Sequence, residues 1–285
     1  MGVTAPQDKW LKVNGLKLHY LDWGNHLGQP VLLLHGFLGQ AHVWDEFAVK
    51  ISQTYHVLAL DQRGHGQSQH AGEETYGLDD HFADLSGFIE LLELKNLILI
   101  GHSMGGRNAL FYTACRPECV DKLILVDARP AESSRSTSAL KDILNRSRPC
   151  YNNLEELVVE ARAAYPYLAA ETCRKLVAHA FRETADHRLI PTYDEMMKET
   201  LKQSGYYLED LRPFLESITC PTLLVRGEES PFLSREEAKD MLRRMRKAQL
   251  AEIPSATHLP VQENLSAFME ALRLFLHPIK FGGIS

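Results

Sequence analysis

No apolar run in this sequence approaches the roughly 20 residues needed to cross a bilayer, so no membrane span is expected. The opening stretch MGVTAPQDKW lacks the apolar core of a secretory signal. Basic runs are missing, and the net charge is −6, which together argue against a nucleic-acid partner. Cysteine is scarce: Cys115, Cys119, Cys150, Cys173 and Cys220 make an odd and scattered set of five. Such a set builds no disulfide framework and suits reduced thiols in the cytoplasm. Cys115 and Cys119 stand four apart, but no further cysteine or histidine nearby completes the ligand count of a zinc site. Internal repeats and low-complexity tracts are absent as well. The expectation is a soluble, cytoplasmic chain without metal, membrane or nucleic-acid partner.

What is present is enough for a large core. A chain of 285 residues with 45% hydrophobic content buries one such core, with or without an inserted subdomain. VLLLHG, HVLALD, LILIGH, KLILVD and TLLVRG are short, continuous apolar runs, each followed by a turn and mostly by a helical pattern. Continuous rather than alternating runs mark strands covered by helices on both faces. DDHFADLSGFIELLEL places Phe82, Leu85, Phe88, Ile89 and Leu92 at helical spacing. The alternation predicts right-handed crossovers and a mostly parallel sheet, hence the α/β class. WLKVNGLKLHYLDWG differs, because alternating residues flank Asn14-Gly15 and predict an antiparallel hairpin at the start. From about residue 131 to 211 the rhythm becomes helical and strand-poor, through LEELVVEARAAYPYL, AAETCRKLVAHAFRET and YDEMMKETL. The predicted organisation is a core of residues 1–130 and 214–285 interrupted by a helical cap over 131–213.

Gly101-His102-Ser103-Met104-Gly105 lies between the apolar strand LILI and a helical pattern. This is the G-x-S-x-G of a nucleophile elbow in its expected context. The turn is so sharp that the residues two away from the serine cannot carry large side chains. It also leaves Ser103 at a helix N-terminus, where the dipole favours a developing negative charge.

At these residues the chain resembles the α/β-hydrolase superfamily, over nearly its full length outside the cap. LLLHGFLG resembles the oxyanion loop, ALDQRGHGQS the D-x-R-G-x-G-x-S segment, and SATHLPVQENLSAFMEALRLFL the histidine loop before the last helix. The resemblance implies a mostly parallel eight-stranded sheet with helices on both faces and an inserted cap. It implies Ser103 as nucleophile, His258 as general base, and the N–H groups of Phe37 and Met104 as oxyanion hole. It makes the D-x-R-G-x-G-x-S segment mainly structural. His102 then packs behind the elbow, His35 braces the oxyanion loop, and His65 is a satisfied structural histidine. A serine at the elbow excludes the haloalkane dehalogenases and epoxide hydrolases of this fold, which use aspartate there. Serine and histidine together imply acyl transfer, with no cofactor.

Arg107 stands one helical turn after Ser103, on the same face. Gly101 to Arg107 resembles the elbow of the menaquinone-pathway synthase that eliminates pyruvate to form a cyclohexadiene carboxylate. In that family the matching arginine helps to hold a substrate carboxylate. The more frequent role for such an arginine is a structural ion pair with an acid beneath the cap. Arg129, just past KLILVD, is a second arginine that could face the pocket. The cap aromatics Tyr151, Tyr165, Tyr167, Phe181, Tyr206 and Tyr207 are more often packing residues than pocket residues at helical spacing.

The third triad member departs from the family pattern. Most relatives carry an aspartate three or four residues beyond the glycine of a string like TLLVRG, where this chain has Ser230 and Pro231. Neither orients an imidazolium. Asp127, at the end of KLILVD, is favoured as the acid, as in certain haloalkane dehalogenases and lactone hydrolases, with Glu229 as the alternative. The expected activity is hydrolysis of small or medium carboxylic esters or lactones through an acyl-enzyme. The alternatives are a lyase or carbon–carbon hydrolase acting on an anion held by Arg107, and a ligand sensor on this scaffold. A small-molecule ester is the expected partner, and a homodimer stays open.

Overall fold

The computed structural model describes residues 5–72, 75–203 and 208–277. Asn14 and Gly15 take φ of +49° and +87°, as a two-residue hairpin turn with right-handed strand twist requires. They join β1 (Gln7–Val13) to β2 (Leu16–Asp22) as an antiparallel pair, with Val13 opposite Leu16. The apolar runs then form β3 (Pro30–Leu34), β4 (His56–Leu60), β5 (Leu97–His102) and β6 (Val120–Val126). After a long insertion carrying β7 (Phe181–Glu183) and β8 (Leu189–Pro191), the sheet resumes with β9 (Thr222–Gly227) and β10 (Ala248–Ile253). The eight core strands lie in the order β1-β2-β4-β3-β5-β6-β9-β10. Only the pairings made by β2 are antiparallel; the other five are parallel.

Side chains alternate between the two faces of each strand, so both faces must be covered. Leu32, Leu34, Leu99 and Leu125 pack with Phe88 of α2 (Leu78–Leu91), Leu110 of α3 (Met104–Cys115) and Met241 of a later helix, Arg235–Arg244. Val31, Leu33, Ile100 and Val126 pack on the other face with Phe47 of α1 (Asp45–Ile51) and with Phe268 and Leu272 of the last helix, Leu265–Leu276. The chain is therefore a three-layer α/β structure, as its apolar runs predict.

The insertion between β6 and β9 carries α4 (Ser134–Arg146), α5 (Leu154–Ala164), α6 (Ala170–Ala180) and α7 (Met196–Gln203). It differs from the strand-poor expectation in one respect. The helix through AHAFRET stops at Ala180, and Phe181–Glu183 pairs antiparallel with Leu189–Pro191 around a turn in which His187 has φ +59°. Strands of three residues are too short for alternation to show in sequence. Tyr151 extends this hairpin by exchanging backbone hydrogen bonds with Leu189.

Leu157, Val158, Leu168, Cys173 and Val177 form a small core within the insertion. A second cluster joins Leu140 and Leu144 of α4 and Leu201 of α7 to Phe232 and Phe37, which belong to loops at the carboxyl end of the sheet. That contact seats the insertion above those loops. Tyr206 and Tyr207 lie outside the described residues.

Candidate active site

Strand β5 ends at His102, and Ser103 follows with φ +50° and ψ −114°, a strained conformation for a residue with a Cβ. The strain is enforced by close packing. A Cβ on Gly101 would lie 2.3 Å from the Gly105 carbonyl oxygen, and one on Gly105 would lie 2.5 Å from the carbonyl oxygens of Leu34 and His35. The backbone N–H of Ser103 donates to Val126 O at 3.0 Å, pinning the turn to β6. Met104 is the first residue of α3, so its N–H has no intrahelical acceptor.

Two distant segments converge on the serine. His258, in the loop after β10, places Nε2 3.0 Å from Ser103 Oγ and Nδ1 2.7 Å from Asp127 Oδ2. Asp127 follows β6 with φ +45° and is buried. Glu229 is exposed and accepts a hydrogen bond from Tyr167 OH, so it is not brought to the histidine. The Ser103, His258 and Asp127 side chains therefore form one continuous chain of hydrogen bonds without Glu229.

Further residues hold this chain in place. Ser230 is fully buried and donates from Oγ to Asp127 Oδ2 at 2.6 Å, while Gly227 N–H reaches Oδ1 at 3.2 Å. Ser230 Oγ in turn accepts from the N–H groups of Phe232 and Leu233. Glu263 accepts from the N–H groups of Thr257 and Leu259, the two neighbours of His258. His102 donates from Nε2 to the carbonyl oxygen of His258 at 2.7 Å. The Phe232 ring stacks on the imidazole at 4.0 Å, and the Arg129 guanidinium lies 5.3 Å from the same ring. The signal for Ser230 was its place where relatives carry an acid, and His102 was expected behind the elbow; Glu263 and Phe232 had no signal in sequence.

His35 has one nitrogen on Gly36 O at 2.8 Å and the other accepting from Gln62 N–H at 3.0 Å, so it holds the loop that carries Phe37. His65 bonds Arg63 O through Nδ1, and its Nε2 has no partner among the described residues. Burial pushes the pKa of both rings, and of His102, below the ordinary histidine value. Asp61 accepts from Ala41 N–H at 2.6 Å and Gln67 N–H at 2.9 Å, and Arg63 Nε meets Asp84 at 2.7 Å. The D-x-R-G-x-G-x-S segment is thus a scaffold for the loops around the serine.

Two cavities meet at Ser103, Phe37, Leu140 and Phe232. One, of ≈ 200 Å³, is lined also by Met104, His81, Arg107, Asn108, Asp127 and Arg129. The other, of ≈ 240 Å³, is lined by Tyr165, Leu168, Leu176, Val177 and Ala180 of the insertion and by His258. The first presents charge and the second is apolar.

Arg107 is buried, and burial with neighbouring Arg129 brings its pKa down to about 10, against the pull of Glu209. Its hydrogen bonds go to the carbonyl oxygens of Glu209 at 2.5 Å and Arg129 at 3.2 Å. The Glu209 carboxylate is 3.7 Å away and mostly exposed, so the ion pair is a loose one. Arg129 pairs with Glu132 at 2.5 Å, and its buried Nε has no partner among the described residues. Burial, with Arg63 and His35 nearby, takes the pKa of His81 down to about 3.

Comparison with known proteins agrees with this architecture. The chain is 26% identical to 2-(acetamidomethylene)succinate hydrolase of Mesorhizobium japonicum over 250 residues, covering 87% of this chain and 88% of that protein. It is 26% identical to the sn-1-specific diacylglycerol lipase ABHD11 of Danio rerio, over 87% of this chain and 78% of the lipase. The crystal structure of E-2-(acetamidomethylene)succinate hydrolase superposes with a TM-score of 0.87 at 24% identity, covering 95% of this chain and 99% of that one, a likeness of fold. The thioesterase domain from the curacin biosynthetic pathway superposes with a TM-score of 0.77 at 26% identity, over 95% of this chain and 99% of the domain. The family described as alpha/beta hydrolase fold matches residues 29–265. With its eight-stranded sheet and serine elbow, the chain belongs to the alpha/beta hydrolase fold family.

Proposed function

We propose that this hydrolase cleaves carboxylic esters through an acyl-enzyme formed on Ser103. The observation that carries the reading is the hydrogen-bond chain from Ser103 Oγ through His258 to Asp127, at 3.0 and 2.7 Å. His258 Nε2 takes the proton of Ser103 as Oγ attacks the substrate carbonyl carbon. The N–H groups of Phe37 and Met104 receive the oxyanion, and Asp127 orients and steadies the imidazolium. The proton passes from His258 to the departing alkoxide as the carbon–oxygen bond breaks. A water, deprotonated by the same imidazole, then attacks the acyl carbon and releases the acid and free Ser103. The triad acid comes from the end of β6 rather than from the loop after β9.

A second reading concerns the substrate's charge. Arg107 and Arg129 stand in the cavity beside Ser103, which favours an acyl compound bearing a carboxylate. The name of the Mesorhizobium relative, a hydrolase of a succinate derivative, points the same way. Lactones or thioesters would use the same machinery, and the anion site also accommodates a carbon–carbon hydrolase or a lyase. Five unpaired cysteines suit a reducing compartment, which supports a cytoplasmic location. Among the described residues no helix is long and apolar enough to cross a membrane.

The test is a panel of p-nitrophenyl esters, neutral and carboxylate-bearing, with pre-steady-state detection of the nitrophenolate burst. An ester hydrolase gives a burst of one equivalent and then turnover. A ligand sensor gives one slow turnover, and no turnover from a serine that still reacts with a fluorophosphonate supports a lyase or a narrow substrate range.

A further inference from the structure

Ser103, Asp127 and His258 occupy the carboxyl end of the parallel strands. The opposite end of the sheet carries a second group of chemically capable side chains. Strand β2 finishes at buried Asp22, and antiparallel β4 starts two residues before Leu58, the partner of Asp22, at His56. The loop after β2 brings His26 back over the same spot. His56 Nε2 lies 3.2 Å from Asp22 Oδ1 and 3.1 Å from His26 Nδ1, and all three atoms fall within 4.8 Å of one another.

The two separations from His56 are close to those of ligands around one ion. Two donors each about 2.1 Å from Zn²⁺ lie roughly 3.4 Å apart at a tetrahedral angle. The imidazole planes of His26 and His56 cross at 79°, with centroids 4.6 Å apart, so the two rings are not stacked face to face. Another His/Asp group among the described residues, His42, Asp45 and His179, differs in its ring geometry. Its two rings stack at 3.8 Å and 18°, so no point between them lies in both ring planes.

The carboxylate is prepared for the role. Lys9 Nζ holds Asp22 Oδ2 at 2.6 Å and Gly24 N–H holds Oδ1 at 2.8 Å, leaving Oδ1 facing the histidines.

We propose that Asp22, His26 and His56 form a binding site for a divalent transition ion such as Zn²⁺, held by two imidazole nitrogens and one carboxylate oxygen, with water completing the coordination. The donor set suits Zn²⁺, Cu²⁺ and Ni²⁺ and disfavours Mg²⁺ and Ca²⁺, which prefer oxygen alone. The ion ties the loop after β2 to the first residue of β4. Because it sits at the far end of the sheet from Ser103, it stabilises the fold and leaves hydrolysis untouched.

The experiment titrates ZnCl₂ into the chelator-treated full chain, read by calorimetry and thermal unfolding. One equivalent binds with release of protons, and at about 100-fold excess over Kd the Tm rises by about 5 °C. His26→Ala, at an exposed position, abolishes both the binding and the shift while the hydrolytic rate is unchanged; His56→Ala does the same to the shift. His179→Ala keeps both. No binding, or a shift that survives His26→Ala, overturns the site.

Discussion

Ser230 Oγ lies 2.6 Å from the Asp127 carboxylate oxygen that also meets His258 Nδ1 at 2.7 Å. The residue standing where most relatives carry their acid has become the support of an acid supplied by the neighbouring strand. A buried carboxylate with a hydroxyl, a backbone N–H and an imidazole around it is fixed in position.

Asp127→Asn keeps the fold but lowers kcat by about 10⁴-fold, because the imidazole loses its orienting charge. Ser230→Ala removes one charge-assisted hydrogen bond, worth roughly 1.5–3 kcal/mol, and lowers kcat by about ten- to a hundredfold. Glu229→Gln leaves kcat within about twofold, since its partner is Tyr167. Steady-state kinetics on one p-nitrophenyl ester rank the three variants. A larger loss for Glu229→Gln than for Asp127→Asn would return the acid to the β9 loop.

A fluorophosphonate labels Ser103 with one-to-one stoichiometry, and Ser103→Ala abolishes labelling while Tm is retained. Intact-protein mass spectrometry reads both outcomes. Label persisting in the variant would mean that a different nucleophile reacts.

Arg107→Gln raises KM for carboxylate-bearing esters by about ten- to a hundredfold and leaves KM for neutral esters of similar size unchanged. With its pKa at about 10, Arg107 keeps its charge through neutral pH. The KM for the anionic ester is therefore flat from pH 7 to 9 and rises as pH passes 10. Equal effects on both ester classes would make Arg107 a structural residue.

Stability falls on the acid side of neutrality. His35, His65 and His81 are buried and His102 is half-buried, all with folded-state pKa values below the ordinary one, His81 at about 3. As pH drops below about 6.5 the unfolded chain takes up protons that the folded chain refuses, so the unfolding free energy declines. Urea midpoints measured between pH 8 and 4.5 should fall steadily, and His81→Asn should flatten the slope. A midpoint independent of pH across that window would contradict the burial of these rings as neutral groups.

Much of the core could be read from the sequence because its signals are local. A strand, a five-residue elbow and a helix are contiguous in the chain, so GHSMG and its flanks announce Ser103 without any knowledge of the rest. The Asn14-Gly15 turn is likewise local, since two residues set the φ values that a hairpin needs. His258 was legible only by resemblance to a family, because nothing within its own loop distinguishes it from the other histidines.

The choice between Asp127 and Glu229 belongs to the tertiary structure. It depends on the parallel register of β6 against β9, which pairs Val126 with Val225 and carries Asp127 to Gly227 and Ser230, about a hundred positions away in the chain. The same holds for Glu263 beneath the histidine loop, for Phe232 on the imidazole, and for Asp22 against His26 and His56. Residue type determined which side chains could do chemistry; which of them meet was decided by strand order and register, because such contacts form between segments whose separation in sequence leaves no periodic trace.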